Sequence, residues 1–399
     1  MAEVGALTVP ARRLRLQAID QLGAVLTVVA ACALALLPFV VFKANRIVPG
    51  NPLGLMDVLS TSGALACFAT LGAIAVVALA VSNAHARLIV ALLGVVVVSL
   101  AVAAAGDALT PVGNKIVRVS PGAGFWTLLL CLGLMATDAI TRLRPGPGLR
   151  VVFLISFLAV VITTLAHGTF DNLSVMREYS VNASRFAHEA RQHMLLAFGS
   201  LAAAVIVAIP LGVLCHRVPR LRPGIQGVLN LVQTIPAIAL FGILMAPLAA
   251  LATAVPWVGE LGIRGIGAAP AAVALFLYSL LPIVANTATG LARVSRSAVE
   301  AARGMGMTNW QILSSIELPL ALPVIVTGIR IVLVQNIGLV TIAALIGGGG
   351  LGAFVFQGIG QTAIDLVLLG AIPTVALAFS AAVILDALVE VMDRTRTST

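Results

Sequence analysis

The stretch Val299–Arg330, VEAARGMGMTNWQILSSIELPLALPVIVTGIR, places a short polar segment directly before a long apolar run. Glutamate near the start of a helix suits the positive end of the helix dipole, glycine permits a tight bend, and proline fits the first turn of a following helix. The segment therefore predicts a short surface helix, a sharp turn and then a membrane-spanning helix. The residues at fixed spacing, E-A-A-x₃-G-x₉-I-x-L-P, are Glu300, Ala301, Ala302, Gly306, Ile316, Leu318 and Pro319.

The composition of the whole chain is that of a membrane protein. Of its 399 residues, 60% are hydrophobic and 10% are charged, whereas a soluble chain carries about 25% charged residues. The net charge of +9 could indicate nucleic-acid binding, but the basic residues lie singly or in small groups between apolar stretches, as in the cytoplasmic loops of membrane proteins. We therefore expect a lipid membrane as the surroundings of this chain, and no nucleic acid as a partner.

Ten stretches are long enough to cross a bilayer, which takes about 20 apolar residues. If the N-terminus is cytoplasmic, the inner segments hold fifteen arginines, and the outer segments hold eight basic residues. This excess predicts that both termini are cytoplasmic. The predicted fold is all-α, a polytopic helical membrane protein, with spans at 19–42, 59–82, 88–106, 123–141, 150–168, 192–215, 225–249, 268–290, 318–341 and 366–390.

The quoted stretch resembles, at every specified position, the cytoplasmic coupling loop of the membrane subunits of bacterial ABC importers. The region from 192 to 390 is similar to the binding-protein-dependent transport permeases of the osmoprotectant branch, which import glycine betaine, choline, carnitine or proline betaine. The five N-terminal spans resemble those of the long-form YehY-type permease. Besides the quoted stretch, the similar segments are QTIPAIALFGIL (Gln233–Leu244), LYSLLPIVANTATGL (Leu277–Leu291) and AALIGGGGLGAFVFQGIG (Ala343–Gly360).

This resemblance implies a permease subunit of an ATP-driven importer in the bacterial inner membrane, which forms the translocation pathway for a small osmoprotectant. We accordingly expect an accessory N-terminal transmembrane region at 1–168, an external polar segment at 169–191 and a permease core at 192–399, with the coupling loop at 292–317. The division is also indicated by the Pro/Gly-rich connector 142–150, which cannot continue a helix, and by the lack of motifs before it.

The resemblance also implies the partners: a cytoplasmic ABC ATPase, a second permease chain (a copy of this chain or a shorter paralogue) and an extracytoplasmic solute-binding protein. ATP and its Mg are expected on the ATPase, because a P-loop needs a lysine after a glycine and Lys43 and Lys115 do not follow one. His188, Glu189 and His193 have the spacing H-E-x-x-x-H, which sets the two imidazoles about 140° apart on a helix. We therefore expect no cofactor, metal site or catalytic residue on this chain.

Polar residues inside the core spans are the candidates for the translocation pathway. A polar side chain at membrane depth faces the interior of the bundle or a water-filled cavity. The alternative is a hydrogen bond between helices without contact to substrate; Arg330, the costliest to bury, is the candidate for an ion pair or a gate. The candidates are Gln233, Thr234, Pro236, Tyr278, Asn286, Arg330 and Asn336.

Several alternatives stay open at this point. Methionine permeases share the coupling loop and related glycine-rich segments, so the substrate could be methionine or another small amino acid. An ion-coupled secondary transporter would need a carboxylate relay in the membrane, and the core spans offer only Asp386 and Glu390. The run Ile346–Gly352, IGGGGLG, predicts either a tight re-entrant turn with close helix packing or a flexible external turn.

Overall fold

The computed structural model describes residues 20–397 apart from Ile47, Lys115 and Leu261, and the side chains up to residue 394. The predicted cytoplasmic residues Arg12, Arg13 and Arg15 lie outside the described residues, as does the side chain of Arg396. The chain forms two compact units that divide between Arg144 and Pro145.

The N-terminal unit combines helices with a small antiparallel sheet of strand order β2-β1-β3. The sheet corrects the first predicted span, 19–42, because helix α1 ends at Leu36 and the chain then becomes extended. Leu37 precedes Pro38, and a residue before proline is pushed out of helical dihedral angles. In chain order the elements are α1 Gln21–Leu36, β1 Val40–Lys43, β2 Asn51–Leu53, α2 Leu55–Val58, α3 Thr61–Ala80, α4 Ala84–Leu109, β3 Arg118–Pro121 and α5 Ala123–Leu143.

A buried ion cluster joins the start of α1 to α4 and α5. Arg87 is fully buried and pairs with Asp20 and, at 3.4 Å, with Asp138. Arg142 contacts Asp138 at 2.9 Å and Asp20 at 3.3 Å. Burial acts to raise the pKa of Asp20, but the hydrogen bonds and charges of Arg87 and Arg142 outweigh it, so this pKa lies below its usual 3.8.

In the described residues of the C-terminal unit, all the regular secondary structure is helical. The polar stretch 169–191 is mostly part of helix α7, which begins at Ser174 rather than at 192 and has one non-helical residue, Asn182. Arg185 and Phe186 of this stretch pack against the helix that follows the glycine-rich run. The elements are α6 Pro147–Ala166, α7 Ser174–Arg217, α8 Arg222–Thr234, α9 Ala237–Ala254, α10 Pro256–Glu260, α11 Ala268–Ala292, α12 Arg296–Gly304, α13 Asn309–Ile312, α14 Leu318–Ala343, α15 Gly352–Gly360 and α16 Ile364–Thr397.

Within the described ranges, nine helices are long and apolar enough to cross a membrane, and α1 is a shorter apolar helix of 16 residues. The all-α polytopic fold class is confirmed. The seventh predicted span, 225–249, is wrong as one helix, because α8 ends at Thr234 and α9 starts at Ala237. Pro236 cannot donate the backbone hydrogen bond that would continue α8.

The core of the C-terminal unit is built from α7, α11 and α14. Leu275, Ile283 and Ile337 are fully buried in it. Gly212 on α7 lets α11 approach closely, since a Cβ there would lie 2.5 Å from Cβ of Thr287. In a membrane, helices associate through close packing and hydrogen bonds rather than through the hydrophobic effect, so small residues and buried polar groups fix this arrangement.

Candidate functional site

The segment 292–317 contains two short helices separated by a tight turn. Ser295 caps the start of α12 by accepting from the N–H of Ala298 at 3.4 Å. At its end, the N–H of Gly306 donates to the carbonyl of Arg303 at 2.9 Å, and the N–H of Met307 donates to the carbonyl of Ala302 at 3.2 Å. This is a Schellman cap, which needs a left-handed residue at the glycine position. Gly306 supplies it with φ of +81°.

A capping box then starts α13. Thr308 Oγ1 accepts from the N–H of Gln311 at 3.3 Å, and Gln311 Oε1 accepts from the N–H of Thr308 at 2.8 Å. The turn between α12 and α13 is therefore determined by local sequence alone. A Cβ on Gly306 would meet nothing within 4 Å, so the backbone conformation, and not close packing, requires glycine.

The segment has an inner and an outer side. Ala302 is 1% exposed, whereas Glu300 and Ala301 are exposed, so the two alanines face in different directions. Two large apolar side chains flank the turn on the outside: Met305 is 73% exposed and Trp310 is 72% exposed. The sequence analysis missed both residues, although a tryptophan inside a polar loop could have indicated an exposed apolar contact.

Ile316, Leu318 and Pro319 lie where the segment enters the membrane helix α14. Residues Leu313–Glu317 form one turn of π-helix, and the N–H of Leu318 donates to the carbonyl of Leu313. Glu317 in this turn has a side chain that is 4% exposed, and it forms a two-pronged ion pair with Arg217 at the end of α7, with Nη1 to Oε1 at 3.2 Å. This pair ties the segment to α7, and the sequence analysis did not find it.

The break between α8 and α9 gathers four of the predicted pathway residues. Pro236 follows Ile235, whose carbonyl accepts a hydrogen bond from the hydroxyl of Tyr278 on α11. In return, Gln233 Nε2 donates to the carbonyl of Tyr278 at 2.9 Å. Thr234 is exposed and its hydroxyl donates to the carbonyl of Leu231 at 2.7 Å. The break is thus held by two hydrogen bonds to α11.

Asn336 lies at the meeting point of α7, α11 and α14. It is fully buried, and its Nδ2 donates to Ser200 Oγ at 3.1 Å and to Ser279 Oγ at 3.0 Å. Both donors of this amide are therefore satisfied between helices. Asn286 bonds locally, with Nδ2 donating to the carbonyl of Pro282 at 2.8 Å.

Arg330 belongs to a chain of charges at one end of α16. Its guanidinium pairs with Asp386, which also accepts from Arg150 of α6 at 2.8 Å. Arg150 contacts Glu390 in turn, and Glu390 accepts from Arg394 at 2.6 Å. The two acidic residues considered for a carboxylate relay are thus both paired with arginines.

A polar cleft of about 670 Å³ lies between the end of α11, the start of α14 and the end of α16. Of the seven predicted pathway residues, Asn286 lines this cleft. Other polar lining residues are Thr289, Arg293, Thr327 and Asp393.

The glycine-rich run forms an ordered turn that is fastened to α7. Gly347, Gly349 and Gly350 all have positive φ. The N–H of Gly350 donates to Glu189 Oε2 at 2.7 Å, and the N–H of Leu351 donates to His193 Nδ1 at 3.3 Å. Glu189 and His193 belong to the H-E-x-x-x-H spacing that was considered as a metal site. Both instead accept hydrogen bonds from backbone N–H groups just before α15.

Together the fold and the segment define a polytopic helical membrane protein with an exposed segment of two short helices between two membrane helices. The family described as "Binding-protein-dependent transport system inner membrane component" matches residues 200–398, and "ABC transporter permease YehY, N-terminal domain" matches residues 20–176. The chain belongs to the binding-protein-dependent transport system inner membrane component family, and is a multi-pass permease subunit of an ABC importer. This membership decides against an ion-coupled secondary transporter.

Three relatives illustrate the similarity. The osmoprotectant import permease protein OsmW of Salmonella typhimurium is 46% identical over 191 residues, 48% of this chain and 84% of that protein. The carnitine transport permease protein OpuCB of Listeria monocytogenes is 36% identical over 205 residues, 51% of this chain and 87% of that protein. The glycine betaine/carnitine/choline transport system permease protein OpuCB of Bacillus subtilis is 34% identical over 220 residues, 55% of this chain and 92% of that protein.

Among solved structures, the inward-facing MetNI methionine ABC transporter matches with a TM-score of 0.41 and 24% identity, over 51% of this chain and 95% of that chain. We draw nothing from a likeness at this level.

Proposed function

We propose that this permease carries a small osmoprotectant, such as glycine betaine, choline or a related quaternary amine, and that residues 292–317 couple it to a separate cytoplasmic ATPase. The ATPase binds and hydrolyses ATP with Mg, a second permease chain completes the pathway, and an extracytoplasmic binding protein delivers the solute. Both termini then lie in the cytoplasm. The observation that carries the coupling assignment is the preformed α12–α13 turn with its exposed apolar side chains.

The outer side of the segment has the chemistry of a docking surface. Tryptophan is enriched among the residues that carry most of the binding energy at protein interfaces, and Trp310 and Met305 are exposed beside the turn. Glu300 adds a charge that can pair with a basic group. Arg217 and Glu317 connect this surface to α7, so force applied to it reaches two membrane helices.

The substrate class rests on the relatives and on the cleft. The relatives are named as permeases for osmoprotectants, for carnitine, and for glycine betaine, carnitine and choline. The cleft is lined by apolar and neutral polar groups together with one arginine and one aspartate. Burying a charge costs several kcal/mol unless a partner of opposite charge compensates it, and this arginine and this aspartate are such partners for a carboxylate and for a quaternary ammonium group.

Uptake by the whole complex tests the substrate. The permease, its ATPase and the binding protein are reconstituted in vesicles with ATP on the ATPase side, and labelled glycine betaine, choline and methionine are offered with ionophores present. We expect uptake of glycine betaine or choline that needs ATP. Uptake of methionine without any response to betaine or choline would remove the substrate assignment and leave the coupling assignment standing.

A pair of tryptophan variants tests the coupling assignment. Trp310→Ala removes the exposed anchor, and Trp257→Ala removes another exposed tryptophan (63% exposed) outside the segment. A loss of about 2 kcal/mol at an anchor residue corresponds to about 30-fold weaker binding. Co-purification of the ATPase should fall for Trp310→Ala and remain unchanged for Trp257→Ala. Equal retention in both would place the ATPase contact elsewhere.

A further inference from the structure

The N-terminal unit contains an apolar groove between α1, α3 and α5 that its family assignment does not explain. The groove has a volume of about 220 Å³ and exposes almost only carbon. Its inner wall is buried and includes Leu26, Leu128 and Met135. Its opening is made of small residues, and Ala31 and Gly72 there are exposed.

The groove runs along the helix axes. On α1 the lining residues recur from Leu26 to Leu34, and on α5 from Leu128 to Met135. Eight residues of helix rise about 12 Å. The groove, about 220 Å³ in volume, therefore extends along about two turns of helix.

These dimensions select among the possible occupants. A helix of a second copy is about 10 Å wide with its side chains and is too broad to enter the groove. Water is excluded, because cavities lined by carbon stay dry and take apolar guests. An extended hydrocarbon chain has the right direction, because the groove runs along the helix axes, and the surrounding membrane supplies it.

Charge at one end of the groove fits a phosphate group. Met135 and Arg142 are seven residues apart on α5, so they lie two turns apart on the same face. The Arg142 side chain is already paired with Asp20 and Asp138, whereas Arg144 follows it as an exposed residue at the end of the helix. A lipid whose chain enters the groove would bring its phosphate to the level of these arginines.

We propose that the groove binds one acyl chain of a membrane phospholipid, with the phosphate near Arg144. The N-terminal unit is then a lipid-binding module of the permease. The bound lipid fills a space that the side chains leave empty. It stabilises the unit because the atoms lining an empty groove would lack dispersion contacts.

Filling the groove tests this proposal. Gly72→Leu places a side chain at the opening, where a Cβ meets nothing within 4 Å. Ala73→Leu, at the next position of the same helix, is the matched control, because Ala73 is exposed and does not line the groove. Ala75→Leu is a second filling variant, should Gly72→Leu not fold.

The readouts are the number of phospholipids retained by the purified full chain in native mass spectrometry and the rise of Tm when phospholipid is added back. The original chain and Ala73→Leu should retain one tightly held lipid and gain stability from added phospholipid, but not from a glycerophosphate headgroup without acyl chains. Gly72→Leu or Ala75→Leu should retain at least tenfold less phospholipid than the original chain, and its Tm should not rise when phospholipid is added. Equal lipid retention in filled and control variants, or a change in oligomeric mass instead of lipid content, would overturn the proposal.

Discussion

The two residues of the ion pair between Arg217 and Glu317 differ in burial, so replacing each of them should lower stability by a different amount. Glu317 has a side chain that is 4% exposed, whereas that of Arg217 is 35% exposed. If Arg217 is replaced by leucine, a buried carboxylate is left without its cation, and breaking such a pair costs about 3 kcal/mol or more. If Glu317 is replaced by glutamine, the remaining arginine reaches solvent and the glutamine oxygen can still accept from it, so the loss should be about 1 kcal/mol.

The consequence for function should exceed that for folding. The pair lies where the coupling segment enters α14, so its loss frees the segment from α7 while the membrane helices remain packed. We expect Arg217→Leu to lower the unfolding midpoint clearly, Glu317→Gln to lower it slightly, and both to reduce ATP-driven uptake more than membrane insertion. The double variant Arg217→Leu/Glu317→Leu should regain stability without regaining uptake.

The measurements are unfolding in mixed micelles titrated with SDS, and uptake and ATPase co-purification in the reconstituted complex. With Glu317→Leu as a further single variant, a double-mutant cycle of Arg217→Leu, Glu317→Leu and their combination gives the coupling between the two residues directly. If Arg217→Leu and Glu317→Gln lower stability equally, the buried carboxylate does not depend on Arg217. If both retain full uptake at normal expression, the pair does not hold the coupling segment.

Three further predictions follow from single contacts. Gly306→Val should disrupt the turn, because a left-handed backbone costs about 1–2 kcal/mol for residues other than glycine, and asparagine tolerates it better. ATPase co-purification should therefore fall for Gly306→Val and persist for Gly306→Asn. Equal co-purification of both variants would show that the positive φ of residue 306 is not what requires glycine. Tyr278→Phe should lower the unfolding midpoint, since the Ile235 carbonyl then loses its partner at a cost of about 1–3 kcal/mol, whereas Tyr179→Phe at an exposed position should not. Because the pKa of Asp20 is lowered in the folded state, its contribution to stability should be present above pH 3.8 and be lost as pH falls through the lower folded pKa. The Tm of Asp20→Asn should therefore fall less than that of the original chain over this range of pH. An identical dependence of Tm on pH in both proteins would refute the contribution of Asp20.

The sequence predicted the features that depend on a local residue pattern, namely most of the membrane-spanning helices and the turn at Gly306. Long apolar runs gave eight of the ten spans as single helices close to their observed positions or as longer ones, and the fixed spacing around Gly306 predicted the turn that the backbone then adopts. The sequence analysis listed Pro236 as a pathway candidate and drew its span as one helix, although proline cannot donate the backbone hydrogen bond that continues a helix. The hydroxyl of Tyr278, more than forty residues away, bonds the Ile235 carbonyl at this break, and the sequence did not indicate that contact.

Contacts between distant residues were beyond sequence reasoning for a physical reason. Arg217 and Glu317 are 100 residues apart, and an isolated acid in an apolar run does not identify its partner. The sheet of the N-terminal unit pairs β1 with a strand that comes after three intervening helices. Strands of three or four residues carry too little alternation to be read from a single sequence.

Two ties between α7 and α14 indicate how the permease core would move. One is the pair Arg217–Glu317, and the other is the hydrogen bond from Asn336 to Ser200. Along α14 these ties are nineteen residues apart, and along α7 seventeen, so they are separated by about 28 Å and about 26 Å on two helices of opposite direction. Helices fastened at both ends of such a length move as one body. The break at Ile235 interrupts the backbone hydrogen bonding between α8 and α9, and two hydrogen bonds attach it to α11. Displacement of the coupling segment should therefore turn α7 and α14 together and change the angle between α8 and α9.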